Sequence, residues 1–294
     1  MTKLLDGNAL ALKIRKEIAS EVNKIKIVGY RPPHLVAVLV GKNTVCKDYV
    51  SLKIKDCQSV GFHSSLECLP TSIAQEKLLS IIHILNSDDS IDGFIVQLPL
   101  PSHIETEKII LAIHPSKDID GFHPMNIGKL ALGIDSFLPA TPFGIITLLE
   151  TYSIDTKGKH TVIIGRSSIV GKPMSILMSR KYNPGNSTVT LTHSYTPDVS
   201  YYTRKADIII SALGVPGFLK ADMICKGAVV IDVGIIRLED DSTTKGYNLV
   251  GDVDFKSVLG KASYLTPVPG GVGPLTRAML LKNTLWALKK KISF

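Results

Sequence analysis

The stretch His160-Thr161-Val162-Ile163-Ile164-Gly165-Arg166-Ser167-Ser168-Ile169-Val170-Gly171-Lys172-Pro173 decides the fold. Its apolar, β-branched first part predicts a buried strand over His160–Ile164, Gly165 a tight turn, and Val170 onward a helix. Pro173 falls in the first helical turn, where a missing N–H costs nothing. Strand, glycine turn and helix N-terminus together present backbone N–H groups to an anion such as a pyrophosphate. The spacing is not G-x-G-x-x-G, however, and Gly171-Lys172 is followed by proline rather than by the Ser or Thr of a P-loop. Taken alone, the turn reads equally well as a ligand site and as a structural βα turn.

Working outward, further strands are expected at Thr188–Thr192, Ile208–Ser211, Val229–Asp232 and about Tyr264–Thr266. The polar stretch Arg237–Val250, with Gly246, reads as a hairpin or excursion. Upstream the same rhythm recurs: helix over about 8–28, strand His34–Val40, helix about 45–60, strand about 62–69, helix about 72–86, strand Gly93–Leu98 stopped by Pro99 and Pro101, and helix about 104–113. Alternating strand and helix predicts α/β architecture with parallel sheets. A loop at Lys117–Pro124 and a helix opened by Pro142-Phe143-Gly144 separate the two rhythms. The expected organisation is a first α/β domain over 1–142 and a Rossmann-like domain over 143–272, with a cleft between them and a C-terminal helix, 273–294, packing back on the first domain.

The chain has 294 residues, long enough for two domains. With 45% hydrophobic and 20% charged residues it can bury a core and is not a disordered chain. No apolar run follows a basic start, and none approaches the roughly 20 residues that span a bilayer. A soluble, cytoplasmic protein is expected. The cysteines at 46, 57, 68 and 225 have no CxxC spacing and read as free thiols, and no Cys/His cluster has the spacing of a metal site. The net charge of +8 raises the question of nucleic acid, but the cations are scattered and only Lys289-Lys290-Lys291 forms a run. A solvated helix end accounts for that run, and small polyanionic ligands suit the charge balance.

The strand after the Gly165 turn ends Thr192-His193-Ser194-Tyr195, with no acid for a ribose 2′-hydroxyl. A 2′-phosphate needs a cation and hydroxyl donors, which Arg166 and Ser194 can supply, so NADP is favoured over NAD. The alternative leaves Arg166 as solvated surface. Tyr49 and Lys53, four apart, share a helix face. They read either as an aromatic platform beside a lysine acid, base or electrostatic catalyst, or as an exposed helix face, and spacing alone favours the second. Short-chain dehydrogenases also carry Tyr-x-x-x-Lys, but after their glycine-rich loop. Gln97 ends a buried strand, where ligand sites of open α/β sheets lie, and can hydrogen-bond a lysine. Asp120, in an Asp-Gly turn, can take two N–H groups from an aminopyrimidine-like ring or simply form the turn.

Together these segments resemble the bifunctional methylenetetrahydrofolate dehydrogenase/cyclohydrolase family. The matching pieces are Tyr49–Lys53, Gly93–Pro101, Lys117–Pro124, Pro139–Pro142, Gly165–Pro173 and Pro267-Val268-Pro269-Gly270-Gly271-Val272-Gly273-Pro274, in the family's order across nearly the whole chain. The resemblance implies oxidation of 5,10-methylenetetrahydrofolate with NADP and hydrolysis of the methenyl product to 10-formyltetrahydrofolate, within one-carbon metabolism and purine biosynthesis. It implies Lys53 as principal catalytic residue, Tyr49 against the folate ring, Gln97 supporting Lys53 and Asp120 holding the pterin. It places Val268, Pro269, Gly270 and Gly271 along the folate, Gly165, Arg166, Ser167, Ile169, Gly171 and Ser194 at NADP, and Ile235 near the nicotinamide. It also implies a homodimer and tetrahydrofolate substrates, polyglutamylated forms among them, with no metal, membrane or nucleic acid. The chain departs from the family at Cys46, where serine is frequent, at Ala140, where cysteine is common, and at Leu275, where methionine is common. The readings left beside it are another NAD(P)-dependent dehydrogenase acting on a different small anion, and a nucleotide-binding regulator without chemistry.

Overall fold

A computed structural model describes residues 1–42, 44–240, 242 and 246–294, with the side chains at 44 and 45 left aside. In chain order the strands are β1 (Lys3–Leu4), β2 (His34–Val40), β3 (His63–Leu69), β4 (Gly93–Val96), β5 (His160–Ile164), β6 (Thr188–Thr192), β7 (Ile208–Ser211), β8 (Val229–Asp232), β9 (Ile236–Glu239), β10 (Tyr247–Val250) and β11 (Tyr264–Leu265). The chain divides into two compact units, one of Met1–Ala11 with Thr141–Thr276 and the other of Leu12–Ala140 with Arg277–Phe294.

In the second of these, β3, β2 and β4 form a parallel sheet in that order. β2 is the middle strand, and all its residues after His34 are buried, as expected of a strand covered on both faces. The core gathers Val36, Val38, Phe94 and Val96 with Leu78, Ile82 and Leu85 of the helix Gln75–Ser87 and Ile109 of the helix Thr106–Ala112. Each such side chain contributes about 1.5–3 kcal/mol by leaving water. The C-terminal part of the helix Val272–Ile292 is fixed here by Asn283, whose Nδ2 donates to the carbonyls of Ile119 (2.7 Å) and Leu138 (3.0 Å). Lys289 pairs with Glu21 at 2.7 Å, and Trp286 meets Phe137 edge-on with ring centroids 4.7 Å apart. A second feature is the helix Pro124–Leu132, directly after the loop read from sequence. Proline at its first position and Gly133 at φ 71° past its end are the local reasons it starts and stops there.

The other unit carries a fully parallel six-stranded sheet in the order β1-β11-β8-β7-β5-β6. Counted from β5, this is the doubly wound order 2-1-3-4-5 with β1 added at the far edge. The strand order reverses between β5 and β7, which places a ligand crevice at the carboxyl ends of those strands. The N-terminal residues, read from sequence with the first domain, join this sheet instead. Lys3 and Leu4 pair with Tyr264 and Leu265, and Leu5 N–H donates to the Leu265 carbonyl at 2.9 Å. β9 and β10 form an antiparallel hairpin, as the polar stretch foretold, and the central part of its connection lies outside the described residues. Among the described residues, no helix is long and apolar enough to cross a membrane.

Candidate functional site

The first cluster lies in the β2–β4 unit. The helix Thr44–Ser59 carries Tyr49, Lys53 and Asp56 on one face, through their spacing of four and three residues. Lys53 is only 6% exposed, and its Nζ donates to Gln97 Oε1 at 3.0 Å while sitting 4.8 Å from the centroid of the Tyr49 ring. Gln97 is fixed in turn: its N–H donates to the Val38 carbonyl at 2.9 Å, and its Nε2 to the Leu98 carbonyl at 2.7 Å. That leaves Oε1 aimed at the lysine. Burial pushes the Lys53 ammonium below its ordinary range, and the Asp120 charge partly opposes the shift. Burial likewise raises the Asp120 carboxyl, opposed by Lys53, and pushes the Tyr49 hydroxyl up to about 12. Cys46 is buried beside this group, with Sγ 3.8 Å from the Leu98 carbonyl.

Two further parts of the cluster were not read from sequence. Arg277 pairs with Asp56 at 2.8 Å, which holds the outer end of the Tyr49/Lys53 face, and Arg15 approaches the same carboxylate at 3.7 Å. The 49-53-56 spacing was the available signal. Asp118 is 2% exposed and accepts from the N–H groups of Phe122 (3.2 Å) and His123 (2.8 Å) and from Asn126 Nδ2 (2.8 Å). Its carbonyl takes the Gly121 N–H at 3.0 Å, so Asp118 closes the turn that carries Asp120.

The second cluster lies in the six-stranded unit, at the switch point. Gly165 has φ 113°, and a Cβ there would stand 2.3 Å from the Ala212 carbonyl oxygen, so only glycine passes between the ends of β5 and β7. A Cβ on Gly171 would stand 2.0 Å from the Gly165 carbonyl oxygen, so the turn packs against the start of the helix Gly171–Ser179. Ser167 Oγ accepts from the N–H groups of Val170 (3.2 Å) and Gly171 (3.4 Å), which ties the turn to the start of that helix. Arg166, Ser194 and Ile169 are exposed. The Arg166 guanidinium lies 5.6 Å from the Tyr195 ring centroid, and Tyr195 adjoins Ser194. At the end of β5, just before this turn, opens a cavity of about 710 Å³, lined by Ile164, Ser194, Arg204, Leu213, Val215 and Lys220 among others. Its place beyond the strand ends and its two cations, Arg204 and Lys220, which share the lining with Asp198 and Asp222, fit the adenosine half of a phosphorylated dinucleotide.

In the same unit, Val268, Pro269, Gly270 and Gly271 form the turn before the helix Val272–Ile292. Gly270 has φ 109°, its carbonyl accepts the Asn8 N–H at 3.0 Å, and a Cβ on Gly7 would collide with the Gly271 carbonyl. Ile235, half exposed, reaches the first turn of the helix that follows: a Cβ on Gly273 would meet its Cδ1 at 2.9 Å. The structure therefore gathers Tyr49, Lys53, Gln97 and Asp120 in one unit and the Gly165 turn, Ser194, Ile235 and the 268–271 turn in the other.

A switch-point crevice and a buried lysine held by a glutamine define an α/β enzyme of the nucleotide-cofactor class. Family comparison makes this specific. Residues 5–120 match the model of the tetrahydrofolate dehydrogenase/cyclohydrolase catalytic domain, and residues 139–292 match that of the family's NAD(P)-binding domain. A bifunctional protein FolD of Flavobacterium johnsoniae is 62% identical over 289 residues, covering 98% of each chain. The FolD methylenetetrahydrofolate dehydrogenase/cyclohydrolase of Campylobacter jejuni is 47% identical, with a TM-score of 0.93 over 99% of this chain and 100% of that one. The Trypanosoma brucei enzyme, solved with NADP cofactor and an inhibitor, is 38% identical, with a TM-score of 0.95 over 100% and 99%. The chain belongs to the bifunctional tetrahydrofolate dehydrogenase/cyclohydrolase family.

Proposed function

We propose that this enzyme oxidises 5,10-methylenetetrahydrofolate to 5,10-methenyltetrahydrofolate with NADP in preference to NAD, and hydrolyses the product to 10-formyltetrahydrofolate through Lys53. The observation that carries the hydrolytic half is the buried Lys53 amine, bonded to Gln97 and facing Asp120. Lys53 Nζ takes a proton from the water that adds to the cationic methenyl carbon, and returns it to the ring nitrogen as the carbon–nitrogen bond opens; the hydroxyl of the adduct gives its proton to solvent as the formyl carbonyl forms. Burial favours the neutral amine that the first transfer needs, by pushing the ammonium below its ordinary range. Gln97 Oε1 fixes the direction of the amine, Tyr49 packs the flat ring system, and Asp120 accepts N–H groups of the pterin.

NADP supplies the hydride acceptor for the first reaction. Gly165, Ser167, Ile169 and Gly171 shape the turn at its pyrophosphate, Arg166 and Ser194 receive the 2′-phosphate, and Ile235 lies toward the nicotinamide. Val268, Pro269, Gly270 and Gly271 line the folate. The reading extends to a cytoplasmic homodimer serving one-carbon metabolism and purine biosynthesis and accepting polyglutamylated folates. Four free cysteines support a reducing compartment.

The test follows NADPH and methenyltetrahydrofolate absorbance in one cuvette. NADPH should rise with the methenyl species, which then decays. Failure to oxidise methylenetetrahydrofolate with either NADP or NAD overturns the reading.

A further inference from the structure

Two buried aspartates at the ends of β8 and β10 have no part in the chemistry above, yet between them they accept seven hydrogen bonds. Asp252 is wholly buried. Its Oδ1 accepts from the N–H groups of Gly214 (2.9 Å) and Val215 (3.0 Å), and its Oδ2 from Leu213 N–H (2.7 Å) and Ser211 Oγ (3.2 Å). Asp232, 3% exposed, holds the segment that carries Asp252: Oδ1 accepts from Asp252 N–H (2.9 Å) and Gly234 N–H (3.0 Å), and Oδ2 from Val253 N–H (2.9 Å). Two glycines make the fit possible. A Cβ on Gly251 would stand 1.9 Å from Asp232 Oδ2, and one on Gly234 would stand 2.4 Å from Asp252 Oδ1.

The three successive N–H groups of Leu213, Gly214 and Val215 curl round one point, the arrangement by which backbone binds an anion. Here the anion is the chain's own carboxylate. The loop so fixed leaves β7 at the switch point, and Leu213 and Val215 line the 710 Å³ cavity together with Ser194. A loop whose donors are all satisfied from within has nothing to reorganise when a ligand arrives, and preorganisation of that kind is worth affinity.

We propose that Asp252 is a positioning residue for the dinucleotide: its carboxylate holds the Leu213–Val215 loop in the cofactor-accepting shape, and Asp232 pins Asp252 in register. The inference rests on the reading of the cavity as the adenosine site. Asparagine at 252 keeps the volume but turns one acceptor oxygen into an NH2 group that faces backbone donors: the loop loses the Leu213 tie if the nitrogen takes the place of Oδ2, and the Gly214 and Val215 ties if it takes that of Oδ1.

The experiment compares wild type with Asp252→Asn. It measures dehydrogenase kcat and KM for NADP, hydrolysis of methenyltetrahydrofolate without dinucleotide, and thermal midpoints with and without NADP. The expected result is a KM for NADP at least tenfold higher and a smaller NADP-induced rise in midpoint. Saturated kcat and cofactor-free hydrolysis should stay within about twofold. A KM within twofold of wild type, or hydrolysis falling in parallel with dehydrogenation, overturns the proposal in favour of a purely structural carboxylate. If Asp252→Asn does not fold, Gly214→Ala decides. That residue has φ 75° and open space at the Cβ position, so alanine strains the loop and nothing else. A several-fold rise in KM for NADP supports the proposal, and an unchanged KM overturns it. A wild type that uses neither NADP nor NAD would instead defeat the functional reading beneath it.

Discussion

Lys53 Nζ donates to Gln97 Oε1 at 3.0 Å, and Gln97 is held by two backbone carbonyls and cannot turn its amide toward the lysine without losing a bond. The pair therefore fixes the direction of a buried amine whose charged form burial disfavours. Lys53→Met removes the proton carrier and keeps the stem. Hydrolysis should fall at least a hundredfold, within the usual worth of a general acid–base. Oxidation of methylenetetrahydrofolate should persist, because hydride transfer needs no proton from this group. The methenyl product should then accumulate in the absorbance trace. Normal decay of that product in the variant would remove Lys53 from the mechanism.

Asp120 and Lys53 shift each other in opposite directions. Burial lowers the lysine, and the Asp120 charge raises it back in part. Since hydrolysis begins with the neutral amine, its kcat should climb with pH through the lysine titration. Asp120→Asn deletes the charge that favours the ammonium, so the rising limb should move to lower pH, alongside a higher KM for the folate. A limb that stays in place or moves to higher pH would show that the two groups do not interact in the loaded enzyme.

Arg166 and Ser194 stand where the strand after the glycine turn offers no acid, and Arg166 is stacked near Tyr195. Arg166→Ala should raise the KM for NADP tenfold or more and leave the KM for NAD within about twofold, because only NADP carries the 2′-phosphate. Equal losses with the two cofactors would move the 2′-phosphate contact elsewhere.

Much of this was legible because the signals are local. The Gly165 turn is a strand, a residue at positive φ and a helix start within a dozen positions. The Tyr49/Lys53 face follows from helical periodicity once Thr44–Ser59 is a helix. What stayed hidden depends on contacts distant in sequence. β1 has two residues and exists only because β11, some 260 positions later, offers an edge. The carboxylate of Asp252 reads as an ordinary loop aspartate until the fold brings Leu213–Val215 round it. In Asp118-Ile119-Asp120 the sequence singles out Asp120 by the glycine that follows it, and says nothing of Asp118. The structure gives Asp118 its part, by bonding its carboxyl to Phe122, His123 and Asn126.

The setting of Asp118 has a consequence for stability. Burial pushes the Asp118 carboxyl up to about 7, against the pull of its three hydrogen bonds. Between about pH 4 and pH 7 the folded chain holds a proton that the unfolded chain has already released. The contribution of Asp118 to stability is thus fully present below about pH 4 and is lost as the pH rises through 7. The variant Asp118→Asn carries an amide, which does not titrate in this range. It replaces one acceptor of the turn by a donor facing Phe122 N–H, a cost that does not vary with pH. Wild type should therefore exceed Asp118→Asn in unfolding free energy by more at pH 4.5 than at pH 7. The change between the two should be of the order of 2–4 kcal/mol, since each unit of pKa shift is worth about 1.4 kcal/mol. Urea unfolding of both proteins at pH 4.5, 5.5 and 7 measures it. A difference that is flat across the series, or that widens toward neutral pH, would mean that Asp118 is ionised throughout, its burial cost already offset by Phe122, His123 and Asn126.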